Sequence, residues 1–194
     1  MTLRSRAGGR WWLAAALATG LPSLSAQALN VRSDPGGVRV SPATPQFLAG
    51  RQLDKLHNGA SVSFAIQLTL FGASRTTMLA RSAGRFAVSF DLWEERFSVT
   101  RLGAARKSVS HLSALEAEAW CLGNLILTSG GLSPDSSFWV RLDVRPEEAN
   151  ESPPLGEDLG VTLARLVELF SRPPRLGETH KRAESGPFRL KDLH

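Results

Sequence analysis

From Ser61 to Leu70 apolar and polar side chains alternate without a break. Val62, Phe64, Ile66, Leu68 and Leu70 fall on one side, and Ser61, Ser63, Ala65, Gln67 and Thr69 on the other. Only an extended strand, whose successive side chains point to opposite faces, gathers such a set into one dry surface. One dry face and one wetter face is the habit of antiparallel sheets, because parallel strands are usually apolar on both sides. The pattern returns three times. Arg85–Trp93 turns Phe86, Val88, Phe90 and Leu92 inward, and Arg96–Leu102 puts Phe97 and Val99 on one face. Phe138–Val144 turns in Phe138, Val140, Leu142 and Val144, with Trp139, Arg141, Asp143 and Arg145 opposite. Short strands are also expected at 38–40, after the turn Pro35-Gly36-Gly37, and at 108–110.

Helices are announced by their ends. Thr44-Pro45 pairs an N-cap residue with proline at the first helical position, and Asn58-Gly59 suits a C-terminus, so a helix is expected over 45–57. Ser113-Ala114-Leu115-Glu116 is a capping box, and Leu115, Ala119, Leu122 and Ile126 form the expected buried stripe of the helix it opens. A last helix over 157–171 carries Leu159, Leu163, Leu166, Val167 and Phe170 on one stripe, after a polar, proline-containing linker over 146–158. Pro173-Pro174 ends it, and the polar residues 173–194 predict a disordered tail. The expected fold is α+β: an antiparallel sheet of four or five strands with two or three helices packed on one face. Residues 29–172 form its single domain.

The first 28 residues read as a cleavable signal peptide. Arg4, Arg6 and Arg10, with no carboxylate, precede an uncharged run from Trp11 to Leu21, and Ala26-Gln27-Ala28 supplies the small residues of a cleavage site before Leu29. The run is shorter than the ~20 residues that a spanning helix needs, so no stable membrane span is expected after cleavage. The absence of an Arg-Arg pair favours the general secretory route, with a periplasmic or secreted product. Three of the five net positive charges leave with the leader, and the remaining +2 is scattered. No basic block of the kind that follows a phosphate backbone remains, which argues against nucleic-acid binding. The one cysteine, Cys121, cannot form an intramolecular disulfide and is expected to be buried.

Chemistry leaves little trace. His57, His111, His180 and His194 are isolated, with no metal-ligand spacing, and neither GxSxG nor SxxK occurs. The sequence therefore suggests no catalytic residue, metal ligand or cofactor. Trp93-Glu94-Glu95 is expected to form a polar turn or a bulge, because adjacent carboxylates on an extended chain diverge. Trp and Arg are common anchors of binding surfaces. The candidate partner-binding residues are accordingly Trp139, Arg141, Asp143 and Arg145, together with Trp93, Glu94 and Glu95.

The helix ending Leu56-His57-Asn58-Gly59, then Ala60-Ser61-Val62-Ser63-Phe64 and a long strand, resembles the DUF4390 family of bacterial exported proteins. Phe90–Val99 would occupy the place of a strand in which that family often has Tyr where this chain has Phe. Phe138-Trp139-Val140-Arg141-Leu142-Asp143-Val144 is similar to its closing strand, while its usual Trp-rich C-terminal end is missing. The resemblance spans about residues 38–170 and implies an envelope location with no assigned activity. The expected function is a non-catalytic envelope binding or assembly module, its partner an envelope protein or ligand of unknown identity. The alternatives are a hydrolase whose site is assembled from distant residues and a small-ligand carrier.

Overall fold

The computed structural model describes residues 29–103, 106–147 and 180–193. The leader, the 157–171 helix and most of the 146–158 linker lie outside the described residues. Two antiparallel sheets make the frame, in place of the single four- or five-stranded sheet expected. The small one holds β1 (Leu29–Asp34), β2 (Gly37–Pro42) and β7 (Leu127–Thr128). The large one has six strands in the order β6-β5-β4-β3-β8-β9. These are β3 (Val62–Gly72), β4 (Met78–Asp91), β5 (Arg96–Leu102), β6 (Lys107–Leu112), β8 (Ser137–Glu147) and β9 (Lys181–Arg189).

The alternation of β3 does what its pattern demands. Phe64, Ile66, Leu68 and Leu70 are fully buried on the same face as Phe86 and Val88 of β4 and Phe138, Val140, Leu142 and Val144 of β8. This face forms one core with Leu29, Val38 and Val40 of the small sheet, Phe47 and Leu48 of a loop, and Leu56, Ala117, Cys121 and Leu122 of the helices. Each large side chain moved fully out of water contributes roughly 1.5–3 kcal/mol, so this shared core outweighs any single polar contact. Gly84 of β4 faces it, and a Cβ there would stand 3.0 Å from Leu125 Cδ2. The close approach of the chain after α2 to the sheet thus depends on glycine.

Both described helices depart from their sequence patterns. The first, α1, spans only Arg51–His57, because Gly50 adopts φ 56°, ψ −139° and interrupts the turn that Thr44-Pro45 would start. Phe47 and Leu48 are still buried, but from a loop. The second, α2 (Ala114–Gly123), has the predicted capping box: Ser113 Oγ accepts from Glu116 N–H, and the Glu116 carboxylate accepts from Ser113 N–H at 2.8 Å. Its buried side is Ala117, Glu118, Cys121 and Leu122, whereas Leu115 and Ile126 of the expected stripe are exposed. Ile126 lies beyond the helix, which stops at Gly123.

The tail expected to be disordered supplies β9, which pairs with β8 from Ser137↔Arg189 to Val144↔Lys181 and is followed by one 3-10 turn, Leu190–Asp192. Its alternation is carried by Ala183 and Ser185 against Arg182 and Glu184, too weakly apolar to stand out in sequence. Across the top of the core, the backbone N–H of Leu29 donates to Ser185 Oγ at 3.0 Å and ties the small sheet to β9. No helix among the described residues is long and apolar enough to cross a membrane.

Candidate functional site

Antiparallel pairing puts opposed residues on one face, so the polar row of β8 can be placed neighbour by neighbour. Trp139 lies opposite Phe71, Arg141 opposite Thr69, Asp143 opposite Gln67 and Arg145 opposite Ala65. These candidate residues are already engaged within the chain. The Arg75 guanidinium sits 3.5 Å over the Trp139 ring, and Gly186 packs against the same ring so closely that a Cβ would clash. Arg141 lies over the Phe71 ring and pairs with Glu184. Asp143 is buried and accepts from Arg182 Nε at 2.7 Å. Arg145 is buried too. Further along the face, Arg85 of β4 reaches across β3 to Glu147, at 2.9 Å from Nε and 2.6 Å from Nη2. The row holds its own sheet together and offers little free surface.

His180 Nε2 stands 3.1 Å from Asp143 Oδ1. Burial holds the His180 pKa below its usual value, against the pull of Asp143. A pocket of about 290 Å³ lies beside it, lined by Gln46, Leu142, Val144, His180, Lys181, Arg182 and Ala183. It falls at the lower end of sizes that hold small ligands, roughly 300–1,000 Å³, and it opens at the sheet edge. A carrier would need an enclosed chamber between sheet and helices, where the buried residues form one contiguous cluster.

The other candidate group, Trp93-Glu94-Glu95, lies at the far end of the sheet. β4 runs from the level of Trp139, where Met78 opposes Phe71, to Asp91, a span of about 40 Å. The β4–β5 hairpin closes there, with Asp91 opposite Arg96 and residues 92–95 as its tip. The expected turn is present, and it is braced. Asp91 Oδ1 accepts from Trp93 N–H at 2.8 Å and Glu94 N–H at 3.1 Å. The Glu94 and Trp93 amides hold the Asp91 carboxyl below its ordinary pKa, so it stays charged. Glu95 takes the left-handed conformation, φ 53°, that closes the loop. Leu92, expected inward, is instead 55% exposed, and Trp93 is 96% exposed. Leu92 belongs to the tip and not to the strand, so the alternation no longer governs it.

One grouping escaped the sequence reading. His111 Nε2 is 2.9 Å from Glu94 Oε2, and His111 Nδ1 is 2.9 Å from Ser110 Oγ. The connectivity is that of a hydroxyl, a base and an orienting acid. The His111 and Glu94 side chains are, however, 68% and 52% exposed. In open water such a pair is worth little and leaves the hydroxyl solvated. It joins the hairpin tip to the end of β6 without adding much stability. No signal in sequence brings Glu94 to His111, because the β5–β6 pairing sets their approach.

Among the described residues no three His, Cys, Asp or Glu side chains group as metal ligands. The sequence matches no family model, no curated protein and no solved structure.

Proposed function

We propose that the chain is an exported binding module of the bacterial envelope, periplasmic or secreted, that grips a protein partner through the β4–β5 hairpin tip. The observation that carries this reading is Trp93, 96% exposed at the end of a braced turn. Tryptophan dominates binding hot spots because one side chain removes a large, stiff apolar surface from water. Here the brace fixes the backbone of the turn that presents it, so little backbone ordering remains to be lost on docking. Leu92 adds a second exposed apolar side chain, and the same turn carries the acidic residues Asp91, Glu94 and Glu95.

That acidic character favours one kind of partner. The complement of an exposed indole on an acidic turn is an apolar pocket rimmed by Lys or Arg. An anionic lipid surface would repel the same tip. The leader-like first 28 residues and the resemblance to DUF4390 point to the same compartment. The β8 row, spent on its own sheet, is secondary.

The test replaces Trp93 with a photo-crosslinking phenylalanine analogue in cells exporting the full chain. The expected result is a discrete protein adduct that disappears when Glu94 and Glu95 are both changed to Lys. The mapped contact on the captured protein should be basic. Adducts only to lipid, or adducts indifferent to the charge reversal, reject the reading.

A further inference from the structure

The two ends of β4 carry opposite charge. At its far end is the Trp93 tip, where residues 91–96 set three carboxylates against the one guanidinium of Arg96. At its start, about 40 Å away at ~3.3 Å per residue, residues 73–77 close the β3–β4 hairpin. No Asp or Glu occurs between Asp54 and Asp91, so this hairpin has only basic residues until its last position. Six large apolar side chains are exposed among the described residues, and four of them divide between these ends: Leu92 and Trp93 at one, Met78 and Leu79 at the other.

The basic end is held in shape. Gly72 N–H donates to Thr77 O and Arg75 N–H to Gly72 O, both at 2.9 Å. Beside this turn the register shifts: Leu70 pairs with Ala80 and Phe71 with Met78, which leaves Leu79 as the extra residue of a bulge. Met78 and Leu79 are 48% and 43% exposed. The Arg75 guanidinium lies 3.5 Å over the Trp139 ring, and Trp139, Phe71 and Met78 are successive neighbours across the sheet. Arg75 has no carboxylate partner among the described residues, whereas Arg141 on the same face is paired with Glu184.

We propose that this basic end receives the Trp93 tip of a second copy, so that chains join head to tail. The proposal rests on the tip reading above and names the tip's partner: an apolar surface with an unpaired guanidinium beside it is the complement of an exposed indole on an acidic turn. A tip does not reach the receiving end of its own chain, because the two stand at opposite ends of one strand. The contact joins unlike surfaces, so a joined pair keeps one tip and one receiving end free and association continues. Two hairpin ends are too small to bury the ~1,200 Å² of a stable complex. The contact is therefore weak, and it forms only where the chain is concentrated.

The experiment follows the purified full chain by analytical ultracentrifugation from micromolar to millimolar concentration at low salt. Its average mass should rise past that of a dimer as concentration increases. Trp93→Ala and Leu79→Asp should each need at least about tenfold more protein to associate, as expected on losing a central contact. Mixed in equal amounts, these two variants supply one intact receiving end and one intact tip, and should form heterodimers that grow no further. Their pairing also shows that both are folded. Glu94→Lys with Glu95→Lys should abolish association, and adding Arg75→Glu to that chain should restore it. A wild type that stays monomeric throughout overturns the proposal. So do monomers that bind anionic vesicles through Arg75, which would assign that end to a lipid surface. If the wild type is monomeric but the Trp93 crosslinker in cells captures a different protein, the tip reading stands without this proposal. If that crosslinker captures no protein, both fall.

Discussion

Glu118 has no solvent contact, yet it is a carboxylate. It accepts the backbone N–H groups of Gln46 and Phe47 at 2.7 Å and of Leu48 at 2.6 Å, and so fixes the loop that carries Phe47 into the core. Burial raises its pKa above the ordinary 4.5, although the three amides pull the other way. Removing it would leave two buried donors and one part-buried donor unmet, and an unmet buried donor costs about 1–3 kcal/mol. Glu118→Ala should therefore lower unfolding stability by about 3 kcal/mol or more, read from urea titrations. The pH dependence has a definite sign. A carboxyl whose folded pKa is raised stabilises most below its unfolded pKa, and that contribution is lost as pH climbs through the folded value. The stability of the wild type relative to Glu118→Gln should accordingly shrink as pH rises from about 4, and a pH-independent difference would refute the dominance of burial. Ser110 lends itself to a simpler assay. Because its His111–Glu94 relay stands in open water, Ser110→Ala should not change the rate at which the protein hydrolyses an activated ester; a clear drop would revive the hydrolase alternative.

At the level of elements, legibility followed apolar contrast. β5 is found at Arg96–Leu102 as the alternation predicts, and the capping box at Ser113 places the start of α2. β4 starts seven residues before its pattern is visible, because Ala80, Arg81, Ser82, Ala83 and Gly84 carry almost no apolar contrast. α1 was overextended because a sound N-cap at Thr44 says nothing about the conformation chosen by Gly50. β9 lacks apolar contrast too, and its stability comes from β8, through the Phe138–Phe188 ring contact and the Arg182–Asp143 and Glu184–Arg141 pairs. Such long-range partners do not show in local sequence. The candidate tip was legible as a turn, but not its exposure, and the pairing of Glu94 with His111 was not legible at all. Ending the chain after His180 should strip the pairing edge of β8. The truncated protein is expected to aggregate on refolding at concentrations where the full chain stays monodisperse by light scattering, and unchanged behaviour would show that β9 is dispensable.

The molecule as a whole is bound by one apolar cluster that includes residues of both sheets and both described helices. A shared core of this kind unfolds as a unit. Circular dichroism and hydrogen exchange of β2 and β3 amides should report a single coincident urea transition; two separated transitions would mean that the small sheet is autonomous. Trp93 stands apart from this unit. Of the described tryptophans, Trp120 packs edge-on against Phe86 and Trp139 lies under Arg75, whereas Trp93 meets water on nearly every side. It should consequently emit at the red edge of the fluorescence spectrum. Neutral acrylamide should quench it readily, and iodide less so, because the turn carries three acidic residues. A bound partner would shift that emission to the blue and shield it, so the hairpin tip carries an optical reporter of its own occupancy.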